Sequence, residues 1–141
     1  MPARQIRRER DRPASPSLLI ETGLAIIVAS LALRLIPFNR LAEMLGKGTA
    51  AATEADEETA YWLRRSVLAL ARRVPWRALC FEQGIAAHLL LRRRQLATTL
   101  HYGAATIDGE LQAHVWVTSG STEVVGCENK NRFAQIAQFG G

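Results

Sequence analysis

Two cysteines, three histidines and three aspartates are spread over 141 residues. So few cysteines exclude a disulfide framework, and Cys80 and Cys127, in unlike local settings, fit a reducing compartment, the cytoplasm. The short paired spacings of zinc sites are also missing, so a metal site drawn from Cys80, His114 and Cys127 has little behind it, and neither metal nor cofactor is expected. Lysine is nearly absent, occurring at only two positions, and arginine supplies the formal net charge of +5. No aromatic-interleaved basic strand accompanies those arginines, which argues against nucleic acid as the partner. The longest apolar run, TGLAIIVASLAL between Glu21 and Arg34, has twelve residues. A membrane span needs about 20, so a spanning or secreted chain is not expected, while peripheral membrane contact is left open.

What is present is 48% hydrophobic composition, enough for the core of one domain. Residues 1–14, with five arginines, read as a disordered basic arm, and 15–141 as a single domain. Ser15-Pro16-Ser17 starts a helix that runs to about residue 35, apolar nearly all round from Gly23 to Leu33, and Pro37 ends it. A short helix follows from Phe38 to Leu45. After a loop, Thr53 and Asp56 form a capping pair for a third helix to about Arg73, with Tyr61, Trp62, Val67, Leu68, Leu70 and Ala71 on one face. Pro75 breaks the chain, and a fourth helix begins near Arg77 to Cys80 and ends by Gln95.

Beyond it the pattern turns to strands. Thr98 to Thr106 leads into the hairpin turn Ile107-Asp108-Gly109. Leu111, Ala113, Val115 and Val117 then alternate with Gln112, His114, Trp116 and Thr118. Further strands fall at Glu123 to Gly126 and Phe133 to Phe139. The class is α+β, with N-terminal helices followed by a cysteine-bearing helix packed on an antiparallel meander.

Cys80 opens the fourth helix, where unpaired N–H groups and the positive end of the dipole favour thiolate, so a lowered pKa is expected. A small buried core residue would occupy the same position. His114 lies on the strand face opposite Val115 and Val117. From Cys80 the helix climbs ~22 Å. The first strand descends ~33 Å and five residues of the second climb back ~16 Å, which returns His114 to within about 5 Å of the cysteine's level. Glu128 arrives near that level as well. A thiol, an imidazole and a carboxylate in this order suit acyl transfer through a thioester, with Glu128, helped by Asn129, orienting the ring. The N–H of Cys80 is the first oxyanion donor; Gln83 and Trp76 are weaker candidates for a second. His88 reads as a packed histidine, His101 as structural and Cys127 as incidental. Arg92 to Arg94 close a helix and Arg64, Arg65, Arg72 and Arg73 form a solvated face.

The segments PWRALCFEQGIAAHLLLRRRQLATTLHYGAA, AHVWV and VVGCEN…RFAQIAQF resemble the leader peptidase of lasso-peptide biosynthesis, a member of the transglutaminase-like superfamily. LRLIPFNRLAEMLG is also similar, more weakly. The resemblance implies a papain/transglutaminase-like core, with Cys80 as nucleophile and His114 as base. The family's third residue is usually an aspartate, and none follows Asp108, so Glu128 takes the place by position. It further implies a cytoplasmic cysteine protease of ribosomal-peptide maturation that removes the leader from a precursor peptide. A separate leader-recognition protein and a lasso cyclase would be its partners, since the chain has no room for a leader-binding domain. Two other functions fit the same residues. One is acyl transfer to an amine, and the other a non-catalytic interaction module of the same fold.

Overall fold

A computed structural model describes residues 15–46, 53–74 and 80–140; the basic arm expected over residues 1–14, and Pro75 to Arg77, lie outside them. Helix α1 (Pro16–Leu35) is capped by Ser15, whose Oγ accepts the Leu18 N–H at 3.3 Å, and has proline in its first turn. The apolar run is thus embedded in a 20-residue helix with a mean hydropathy of 2.0, long and apolar enough to cross a membrane, contrary to the reading from the run alone. One side of α1, with Thr22, Ala25, Ile26, Ala29 and Ser30, is buried against the other helices. The small residues on that side let the backbones approach. Helix α2 (Phe38–Gly46) follows.

Helix α3 (Glu57–Ala71) is capped by Asp56 itself, which accepts the Thr59 N–H at 2.7 Å. Thr53 does not join that cap. It forms an isolated bridge to Leu96, with its carbonyl accepting the Ala97 N–H at 2.7 Å. The buried face of α3 is Ala60, Leu63, Ser66, Val67 and Ala71. This is rotated from the expected stripe, because Tyr61 and Trp62 pack edge to face on each other at the margin, with Arg65 over the Trp62 ring.

Helix α4 (Cys80–Arg93) is the central one, buried at Gly84, Ile85, Ala86, Ala87, His88, Leu90 and Leu91. Just beyond its end, Arg94 reaches back to both carboxylate oxygens of Glu21 at 2.7 and 2.9 Å, tying α1 to α4. His88 is fully buried and satisfied. Its Nε2–H donates to the Leu45 carbonyl at 3.1 Å and Nδ1 accepts from the Thr98 hydroxyl at 2.9 Å.

Strands β1 (Thr99–Ile107), β2 (Glu110–Ser119), β3 (Thr122–Val125) and β4 (Ala134–Gly140) form one antiparallel sheet in the order β3-β2-β1-β4. Asp108 and Gly109, with φ of 52° and 80°, make the two-residue turn between β1 and β2. The last strand does not continue the meander beside β3. A 3₁₀ turn (Cys127–Arg132) returns the chain so that β4 pairs with β1 on the far side. Leu100, Val115 and Val117 face the helices and complete the core with Ile85, Leu90 and Leu91. Leu111 was expected on that inner face but is 80% exposed, because the hairpin end of β2 extends past the helix layer.

Candidate active site

Cys80 is the first residue of α4, half-buried and unpaired with Cys127. One turn further on, Gly84 lies directly on Val115 of β2: a Cβ built there would stand 2.5 Å from Val115 Cγ1. The absent side chain brings the start of α4 onto the middle of β2. There the thiol meets the main chain immediately after His114. The N–H groups of Val115, Phe81 and Cys80 all stabilise a thiolate. Burial nevertheless dominates, and with the nearby Glu82 carboxylate it pushes the Cys80 thiol above its ordinary value. The lowered pKa expected from helix position is therefore not found. The dipole and the N–H groups are present, but desolvation of a charged sulfur outweighs them.

His114 stands on the outer face of β2, opposite Gly103 of β1 in the strand register. Its ring is gripped on two sides, by Phe133 at 5.0 Å between centroids and by Trp116 at 6.0 Å. His101 stacks on Trp116 at 5.3 Å with 7° between planes, and is itself held by Gln135 at 2.6 Å and Thr118 at 2.9 Å. The close approach depends on Gly103, where a Cβ would lie 2.9 Å from the Trp116 ring and 3.0 Å from Phe133.

The polar contact of the imidazole decides its chemistry. His114 Nε2 lies 2.7 Å from the carbonyl oxygen of Gly126. A carbonyl only accepts, so Nε2 carries a hydrogen, and in the neutral ring Nδ1 is the nitrogen with the lone pair. Gly126 can present that carbonyl because it sits in the left-handed region at φ 75°, closing β3 and opening the 3₁₀ turn. A Cβ at this position would approach the Val115 carbonyl to 2.6 Å.

The expected third residue stands elsewhere. The Glu128 carboxylate is bound to the guanidinium of Arg64 on α3, and its side chain is 54% exposed. The imidazole's partner is a backbone carbonyl two residues earlier. No hydrogen bond joins Cys80 to His114 among the described residues, and the Asn129 side chain and Trp76 lie outside them. Cys127 is buried between β2 and β3, its thiol directed at the carbonyls of Val117 (3.5 Å) and Val125 (3.6 Å). Among the described residues, no cluster of His, Cys, Asp and Glu could hold a metal ion. From the sequence Gly126 and Phe133 are strand ends with no part in the site; both lie just outside β3 and β4 and contact His114. The His-x-Trp spacing does signal the Trp116 contact, because residues two apart on a strand share a face.

The family model of the transglutaminase-like superfamily matches residues 23–138, from the first turns of α1 almost to the end of β4. Neither a curated protein nor a solved structure matches significantly. A superfamily that spans cysteine proteases and acyltransferases agrees with a thiol at a helix start beside a strand-borne histidine.

Proposed function

The chain belongs to the transglutaminase-like superfamily, and we propose that within it this protein is a cysteine peptidase that removes the leader from a lasso-peptide precursor before a partner cyclase forms the macrolactam. The observation that carries the reading is the bond from His114 Nε2 to the Gly126 carbonyl at 2.7 Å. It leaves Nδ1 as the basic nitrogen, one residue along β2 from the N–H that faces the Cys80 sulfur. The choice of a lasso precursor rests on the PWRALC and His-x-Trp-Val segments.

In this chemistry a neutral thiol enters the reaction, as its raised pKa requires. Once the His114 ring, which rests on the outer face of β2, and Sγ come within hydrogen-bond reach, Nδ1 takes the proton from Sγ as sulfur attacks the scissile carbonyl carbon. The backbone N–H groups of Cys80 and Val115 are the donors for the developing oxyanion. Collapse breaks the C–N bond, and the proton on Nδ1 goes to the leaving amine, which becomes the new amino terminus. A water then gives a proton to Nδ1 as its oxygen adds to the thioester carbon, and the C–S bond breaks with that proton passing to sulfur, which releases the acid and restores the thiol. The Gly126 carbonyl supports the imidazolium that forms twice in the cycle, the task expected of Glu128. A separate leader-recognition protein would deliver the precursor.

Mass spectrometry of a lasso-type precursor incubated with the protein and its leader-binding partner tests this. Wild type should release the leader, whereas Cys80→Ala and His114→Ala should leave the precursor intact. A precursor joined to an added amine, with no hydrolysis, would instead assign acyl transfer. An intact precursor in all three, with the ternary complex demonstrated, would sink the proposal.

A further inference from the structure

Six large aliphatic side chains of α1 project away from the fold: Ile20, Leu24, Ile27, Val28, Leu31 and Leu35. Each is between 40% and 76% exposed. Their spacing by threes and fours aligns them in one stripe about 22 Å long. The opposite side of α1 is committed to the core, so the stripe is not the helix's packing face. The only charged residues of α1 are Glu21, neutralised by Arg94, and Arg34. The exposed area is on the order of 600 Å², the upper end of what an ordinary monomer leaves bare.

In the sequence, basic residues flank this stripe on both sides. Residues 1–40 contain seven arginines against three acidic residues, one of which is the neutralised Glu21. Arg4, Arg7, Arg8, Arg10 and Arg12 precede the helix by a few residues, and Arg34 and Arg40 are exposed at and beyond its end. We infer that α1 docks on an anionic lipid surface, its aliphatic stripe in the acyl boundary and the flanking arginines on the headgroup phosphates. An apolar stripe and a basic flank are the two signals that stable interfacial binding requires.

Other occupants fit less well. A second copy would bring to the stripe a helix whose one carboxylate, Glu21, is already bound by Arg94, and so nothing to pair with Arg34 and Arg40. The stripe is also short of the ~800 Å² per partner of a standard interface. A specific protein partner is recognised through aromatic or arginine anchors set in an apolar patch, and this stripe has neither. The inference stands apart from the peptidase reading, because none of these residues belongs to the candidate active site.

Co-sedimentation of the full chain with vesicles of phosphatidylcholine, with and without phosphatidylglycerol, tests it. The protein should pellet with the anionic vesicles and be released by salt. The variant L24Q/V28Q/L31Q, shown folded by circular dichroism, should lose about tenfold in vesicle affinity. R34Q/R40Q, which keeps the stripe and the five arginines before the helix, should weaken the preference for anionic lipid without abolishing it. Failure of wild type to pellet with anionic vesicles at low salt would overturn the inference, as would equal binding by the triple variant. Light scattering that shows a dimer abolished by the triple variant, without vesicle binding, would assign the stripe to a second copy.

Discussion

Desolvation holds both Cys80 and His88 neutral, although it moves their pKa values in opposite directions. The thiol becomes charged by losing a proton and is pushed up, whereas the imidazole becomes charged by gaining one and is pushed down. His88 falls from 6.5 to about 4, through burial first and the Arg92 charge second. The unfolded chain binds this proton near 6.5 and the folded one only near 4, so acid favours unfolding. The stability due to neutral His88 is complete above the unfolded value and declines as pH falls through the window down to about 4. That difference corresponds to about 3 kcal/mol. Urea midpoints should therefore fall between pH 6.5 and 4 in wild type, with a shallower fall in His88→Gln. A wild-type slope unchanged by that substitution would place the acid sensitivity in the carboxylates. Cys80 and His114 were legible as candidates because few side chains can act as nucleophile or base. The thiol's raised pKa was not, because desolvation depends on what the fold packs over the sulfur.

At the scale of elements, punctuation was more legible than orientation. Ser15, Pro16 and Pro37 delimit α1, and Asp108-Gly109 the first hairpin, through local backbone chemistry that needs no tertiary partner. The turning of α3 about its axis was not readable, since Tyr61 and Trp62 satisfy one another at the helix margin and leave Leu63 to the core. Gly126 is the element boundary with the greatest chemical consequence, and a backbone carbonyl has no sequence signature. Alanine there must hold φ near 75° and crowd the Val115 carbonyl. The backbone penalty alone is about 1–2 kcal/mol. Displacement of the carbonyl frees the His114 ring to rotate and change tautomer. Gly126→Ala should therefore lower kcat for the proposed cleavage by about 10- to 100-fold, with KM little changed. Loss of stability with full kcat would show that the carbonyl only builds the corner.

The whole molecule is two layers, and its α+β order was legible from the switch of hydrophobic period from helical to alternating. The sheet order was not, because a 3₁₀ turn of polar residues, CENKNR, gives no hint that it returns β4 to β1. The layers meet closely at Gly84 and Val115, one turn from the thiol, so their spacing there bears on both stability and the position of Cys80. In an exposed helix Gly→Ala stabilises by about 0.5–1 kcal/mol through backbone entropy. At Gly84 the new methyl would stand 2.5 Å from Val115 Cγ1 and 3.8 Å from the Leu100 side chain. Overpacking of this kind costs about 1–3 kcal/mol, so the net sign should reverse and Gly84→Ala should destabilise. Val115→Ala removes the obstructing Cγ1 and leaves a small cavity of its own. In that background the same Gly84→Ala change fills space and regains its helical advantage. Chemical denaturation of the four proteins should therefore give a coupling of more than about 1 kcal/mol between the two positions. Cleavage activity of the Gly84→Ala protein should fall further than its folded fraction and recover in part in the double variant. Additive stabilities would mean that α4 slides on β2 without resistance, and that some other contact holds Cys80 beside the His114 strand.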